Sequence, residues 1–134
     1  MNLKIGQMIL IAEDDDDDKE FLRLAFKKAA TTQSIQMASN GLEVLDYLRR
    51  LSDKELPCLI VLDLNMPVLD GLQTLEALNE KPDFQNIPIV IFTTSSSDED
   101  RERCLSKGAS DYFVKPDNMT EIVKTVETML QYCN

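Results

Sequence analysis

Leu59-Ile60-Val61-Leu62-Asp63-Leu64-Asn65-Met66-Pro67-Val68-Leu69-Asp70-Gly71 is the stretch that decides the fold. Its first four residues are all apolar and do not alternate with polar ones. The run is too short for a buried helix and predicts a strand covered on both faces. A carboxylate, Asp63, ends it. After the loop marked by Pro67 and Gly71, Leu72, Leu75 and Leu78 recur at helical spacing. Strand, polar loop and helix together make one βα unit.

The same unit recurs on either side. Met8-Ile9-Leu10-Ile11-Ala12, Ile89-Val90-Ile91-Phe92 and Tyr112-Phe113-Val114 are further unalternating apolar runs, read as covered strands, whereas Ser34-Ile35-Gln36-Met37-Ala38 alternates and suits an edge strand with one wetter face. Helical stripes lie between them: Phe21, Leu22, Ala25, Phe26 and Ala29; Leu42, Leu45 and Leu48; and Ile122, Val123, Val126, Met129, Leu130 and Cys133. A weaker helix is predicted from Asp98, as its N-cap, to about Lys107, with Gly108 ending it. Strand–helix alternation repeated five times predicts an α/β fold of parallel strands joined by right-handed crossovers. Residues 1–134 read as a single domain with its core at about 8–133, preceded by a short lead-in and carrying no output domain.

Composition narrows the function. The 134 residues carry 24 acidic against 14 basic side chains, a net charge of −10, which disfavours binding through nucleic-acid phosphates. No apolar run approaches the ~20 residues that cross a bilayer, and no signal peptide opens the chain. The absence of histidine removes Ser/His and Cys/His catalysis and most zinc sites. Cys58, Cys104 and Cys133 are odd in number and form no CxxC, so they read as reduced thiols, mostly buried filler, in a cytoplasmic protein.

In open α/β sheets ligands bind beyond the carboxyl ends of the strands. Glu13 and Asp14 follow the first strand, Asp63 the third, Thr93 and Thr94 the fourth and Lys115 the fifth. Carboxylates, a hydroxyl and an ammonium therefore converge on one sheet edge. Glu13, Asp14 and Asp63 would repel one another without a cation. A calcium EF-hand loop counted from Asp14 fails, because Lys19 stands where Gly is needed and Ala25 where Glu is needed. A few carboxylates with open water positions suit Mg²⁺, and Asp63 would keep a free oxygen as a nucleophile. Asp15 to Asp18 read as a solvated loop favouring the next helix's N-terminus. Lys115 alone reads equally well as a surface lysine.

These segments resemble the response regulator receiver family across essentially the whole chain. The resemblance rests on Ile9-Leu10-Ile11-Ala12-Glu13-Asp14, Val61 to Gly71, Pro88-Ile89-Val90-Ile91-Phe92-Thr93-Thr94-Ser95 and Gly108-Ala109-Ser110-Asp111-Tyr112-Phe113-Val114-Lys115-Pro116. It implies a flavodoxin-like (βα)5 sandwich with strand order 2-1-3-4-5. It implies a phosphoacceptor signalling protein that catalyses only its own phosphorylation and dephosphorylation. Asp63 takes the phosphoryl group from a phosphohistidine on a sensor histidine kinase or histidine phosphotransfer protein. Asp14, Asp63 and the Asn65 carbonyl ligate Mg²⁺, with Mn²⁺ able to substitute, and Glu13 acts through a water. Lys115 and Thr93 hold phosphoryl oxygens, Thr93 and Tyr112 form the switch, and Asn65 and Ser95 tune phosphoryl lifetime. Tyr112 as ordinary edge packing stays open, and the isomer of the Lys115-Pro116 bond is not fixed by sequence. A downstream protein target follows, with no direct nucleic-acid or membrane contact, and a homodimer through the helix 4–strand 5–helix 5 face. The acidic opening and Thr93-Thr94-Ser95-Ser96-Ser97 resemble stand-alone receivers paired with phytochrome-like or hybrid sensor kinases. A haloacid-dehalogenase-like phosphatase would need an acid where Asn65 stands, and a phosphorylation-independent pseudo-receiver would not need intact Asp63, Lys115 and Thr93.

Overall fold

The structure, a computed structural model, describes residues 8–133; the lead-in Met1–Gln7 and the terminal Asn134 lie outside them. Five strands alternate with five helices: β1 Met8–Ala12, α1 Asp16–Lys28, β2 Ser34–Ala38, α2 Gly41–Arg49, β3 Leu59–Leu62, α3 Gly71–Asn79, β4 Ile89–Thr93, α4 Asp98–Ser106, β5 Asp111–Val114 and α5 Met119–Leu130. Short 3₁₀ turns lie at Asp53–Glu55 and Gln131–Cys133. Every strand pairing is parallel, in the order β2-β1-β3-β4-β5. All described peptide bonds are trans, Lys115-Pro116 included.

The period-two geometry of a strand divides the apolar runs between two cores. Leu10, Ile60, Leu62 and Ile91 face one side, where α2 and α3 contribute Val44, Leu48, Leu75 and Leu78. Ile9, Ile11, Val61 and Phe92 face the other, against Leu22 and Phe26 of α1 and Val126 and Met129 of α5. β1, β3 and β4 are buried almost throughout, as unalternating runs require. β5 lies at the sheet edge, as the order 2-1-3-4-5 implies, but it is less covered than its unalternating apolar run suggests: Val114 is 44% exposed.

Each helix starts on a side-chain cap. Asp15, Asn40, Asp70, Ser97 and Asn118 accept from the backbone amides of Asp18, Glu43, Gln73, Asp100 and Glu121, satisfying donors with no partner inside the helix. Ser97, not Asp98, therefore caps α4; its hydroxyl reaches Asp100 N at 3.2 Å, which places Asp98 inside the first turn. Gly108 ends α4 as expected. Its φ is +108°, and its amide and that of Ala109 return to the carbonyls of Leu105 and Cys104, the paired bonds of a Schellman ending.

The cysteines depart from the reading as reduced filler. Cys58 and Cys133, separated by 75 residues, are joined in a disulfide with Cα atoms 4.8 Å apart; Cys104 alone is free, and it is buried. The cause is topological. Each helix runs back antiparallel to its strand, so the end of α5 arrives at the edge of the sheet where β3 begins.

Candidate functional site

The chain places the site through backbone bonds of the parallel ladder. The amide of Glu13 donates to Ala38 O at 3.0 Å, that of Asp63 to Ala12 O at 3.1 Å and that of Lys115 to Thr93 O at 2.7 Å. Glu13, Asp63 and Lys115 are thus each the residue just past a strand, and Thr93 is the last residue of its own, so all four are held in one row. Gly71 lets α3 start hard against this row. A Cβ there would lie 2.2 Å from the Asp63 carbonyl oxygen.

Carboxylate oxygens of Glu13, Asp14 and Asp63 all lie within 4.8 Å of one another. Glu13 and Asp63 are 2% and 6% exposed, whereas Asp14 opens to solvent. Three hard oxygen donors at this spacing, one facing water, match what a small divalent cation needs. Among the described residues, the ammonium that offsets the two buried carboxylates belongs to Lys115. Its Nζ donates to Glu13 Oε1 at 2.8 Å and to Asp63 Oδ2 at 2.9 Å. A third bond, to Asp18 Oδ2 at 2.9 Å, comes from the first turn of α1.

Asp18 is a site residue that sequence reading missed, having been grouped with the solvated acids. The only available signal was its position in the first turn of the helix after β1, and that turn's direction is set by the Asp15 cap.

The electrostatics follow from burial. Desolvation pushes the Glu13 carboxyl up to about 7, and the neighbouring Asp63 charge adds to this, against the opposing bonds from Lys115 and the Asp15 amide. Burial disfavours charge on Lys115, but its bonds to Glu13, Asp63 and Asp18 outweigh that and raise its pKa above the ordinary lysine value. Without a cation the cluster thus carries more negative charge than one ammonium can balance.

Thr93 is fully buried, its Oγ1 accepting the Ser95 amide at 3.3 Å. Ser95 donates through Oγ to Asp100 on α4 at 2.6 Å, and its carbonyl accepts the Tyr112 hydroxyl at 2.9 Å. Tyr112 is 4% exposed, so its ring already lies inside. Arg101 of α4 sits over that ring, 5.9 Å from its centre, and donates to the Tyr112 carbonyl. Thr93, Ser95, Tyr112 and α4 are therefore connected by direct contacts, while Arg101 and Asp100 join a network that sequence reading did not name. The Asn65 amide donates to Asp63 Oδ1 at 3.3 Å, placing Asn65 beside the carboxylate. Among the described residues, no helix is long and apolar enough to cross a membrane.

Comparison with known proteins agrees with this geometry. The family model for the response regulator receiver domain matches residues 9–127. A probable methanogenesis regulatory protein, FilR2, of Methanothrix harundinacea is 32% identical over 93% of this chain and 82% of its own length. Response regulator Rcp1 of Synechocystis is 28% identical over 90% of the chain and 84% of its own. Among solved structures, the Mn²⁺-bound form of Rcp1 superposes with a TM-score of 0.80 at 27% identity, covering 92% of this chain and 91% of that one. The phosphorylated cyanobacterial phytochrome response regulator RcpA gives 0.84 at 25% identity, covering 95% and 93%. With five parallel strands in the order 2-1-3-4-5 and acidic, hydroxyl and ammonium groups gathered at their ends, the chain belongs to the response regulator receiver domain family of two-component signalling.

Proposed function

We propose that this receiver domain accepts a phosphoryl group on Asp63 from a phosphohistidine of a sensor kinase or histidine phosphotransfer protein. The observation that carries the reading is the Lys115 ammonium held between Asp63 and Glu13 at the ends of three different strands. In the transfer an Asp63 carboxylate oxygen attacks phosphorus, the N–P bond to imidazole breaks, and the acyl phosphate forms. Lys115 follows the phosphoryl oxygens, and the Thr93 hydroxyl donates to another of them. This is catalysis by positioning and charge, worth most in a site where water is excluded.

Asp14 and Asp63, the Asn65 carbonyl and Glu13 through a water would hold Mg²⁺, or Mn²⁺ in its place. When bound, the ion offsets negative charge on the carboxylates and the transferring group. The donor set supports this, as does the Mn²⁺ named for Rcp1. Asn65 and Ser95, next to the carboxylate and the hydroxyl, set how long the phosphoryl group survives.

Output is a shift of the α4–β5–α5 surface, driven through Thr93, Ser95 and Tyr112 into α4, toward a downstream protein or a second copy of the chain. The donor docks beside the site. There Phe21, half exposed, and Leu22, Met119 and Ile122 line an apolar cavity of about 390 Å³ reaching Lys115. Likeness to RcpA and to a regulator in red-light signalling of R. palustris supports a phytochrome-like sensor kinase as donor. The cytoplasm, where such kinases present phosphohistidine, is the proposed place of action.

The test is intact-protein mass spectrometry after incubation with acetyl phosphate. One phosphoryl group is expected with Mg²⁺, and none with EDTA or in Asp63→Asn. If wild type gains no adduct and also fails to bind beryllofluoride, the reading is wrong.

A further inference from the structure

The three cysteines fall into two environments. Cys104 is 1% exposed on the inner face of α4, where burial pushes its thiol up to about 11 and leaves it inert. Cys58 and Cys133 are half-buried at the opposite edge of the sheet from Asp63, with Cα atoms 4.8 Å apart, inside the range a disulfide spans.

The two partners are held differently. Cys58 immediately precedes the central strand β3, and its amide donates to Met8 O at 2.9 Å, so the sheet fixes it. Cys133 lies on the 3₁₀ turn after α5, where the Tyr132 hydroxyl donates to Asp111 Oδ2 at 2.7 Å. Tyr132 also reaches the Ser110 carbonyl, and Tyr132 and Cys133 pack partly buried against the α1–α5 side of the core, but no side chain of the turn is fully buried. One sulfur is therefore held by the sheet ladder, and the other sits on a short 3₁₀ turn outside it. Cys58 also lines an open cavity of about 410 Å³ with Pro57, Pro82, Asp83 and Pro88, through which a small thiol or disulfide can approach the bond.

We propose that Cys58 and Cys133 are a reversible thiol–disulfide site, exchanging with low-molecular-weight thiols and disulfides through this cavity, whose closure locks the end of α5 onto the start of β3. In oxidation the Cys58 thiolate attacks one sulfur of the external disulfide, whose other sulfur leaves as a thiolate. The Cys133 thiolate then attacks the Cys58 sulfur and expels the second. The two protons of the cysteine thiols end on the two released thiols, so the external disulfide is reduced as the protein is oxidised. Asp63 lies five residues further along β3, about 16 Å away by strand rise, so acceptance of the phosphoryl group does not depend on the bond.

The experiment uses the whole chain with oxidised glutathione and then dithiothreitol, both without denaturant. Oxidation is expected to lower the intact mass by two hydrogens and to block alkylation of Cys58 and Cys133. Dithiothreitol should restore both, with Cys104 unlabelled throughout as a control against unfolding. Reduction should speed amide exchange across residues 128–133 and lower Tm by on the order of 10 °C. Cys133→Ser should take up one glutathione on Cys58. Three results overturn the proposal: Cys58 and Cys133 still alkylatable after oxidation, a bond that native-state dithiothreitol does not open, or equal exchange at 128–133 in both states.

Discussion

At the scale of single residues, Lys115 holds the balance of the site. Its side chain is 11% exposed and pairs with Glu13 and Asp63, which are still more hidden. Removing it leaves buried carboxylates without their counter-charge, so Lys115→Met is expected to lose about 3 kcal/mol of stability in EDTA at pH 8. The pH dependence follows from Glu13. Its folded pKa, about 7, lies above its unfolded value of 4.5, so the folded state prefers the protonated form. Glu13's contribution to stability is therefore full below about pH 4.5 and is lost as pH rises through 7. The neighbouring Asp63 charge pushes Glu13 in the same direction. Urea titrations in EDTA between pH 5 and pH 8 should show the deficit of Lys115→Met growing with pH; a deficit that shrinks would contradict the assignment. Backbone strain also sits here. Val68, in the loop after Asp63, has φ +68° and is 72% exposed, a conformation that a β-branched residue rarely adopts.

Among the α-helices, α4 is the loosest. Of its nine residues only Cys104 is buried, whereas α2 and α3 each bury four. Its first turn carries Asp98, Glu99 and Asp100, which favours the helix N-terminus but adds no packing. An element with so little apolar burial opens at low cost, and α4 is also the helix tied to Thr93 and Tyr112 through Ser95, Asp100 and Arg101. Amide exchange is therefore expected to be faster in α4 than in α2 or α3, and to slow when beryllofluoride binds. Equal protection of the three helices would remove α4 as the switching element. The weak apolar stripe in this segment is also why its predicted cap fell one residue late, although the helix starts at Asp98 as predicted. Ser97 and Asp98 are both good caps, and only the chain's path into the helix selects Ser97.

For the whole molecule, the acidic cluster links folding to cation binding. Mg²⁺ at a hundred times its Kd is expected to raise stability by about 2.7 kcal/mol, or about 8 °C in Tm. Asp14→Ala should remove that shift while leaving the EDTA-treated protein as stable or more so, since it deletes an exposed like charge beside Glu13 and Asp63. Thermal scans of both proteins with and without the ion check this. A full shift in Asp14→Ala would take that residue out of the metal site.

Most of the fold was legible in the sequence because its signals are local. Apolar runs of four or five residues, stripes at helical spacing and polar residues just past each run depend only on neighbours along the chain. Parallel topology then forces every strand end to one edge, which is why Glu13, Asp14, Asp63, Thr93 and Lys115 group together on sequence alone. Three features depend on groups far apart in sequence being brought together, and no local pattern carries them. Asp18 joins Lys115 across 97 residues because the Asp15 cap aims the first turn of α1 at the site. β5 is an edge through its place in the strand order, which the family resemblance implied and its own composition did not. Cys58 meets Cys133 because the last helix returns antiparallel to the sheet and ends where the central strand begins. The sequence by itself determined the alternation of elements and the chemistry at the strand ends; the tertiary structure alone decided which distant side chains share a proton, a hydrogen bond or a sulfur bond, because those contacts are closed by packing rather than by spacing.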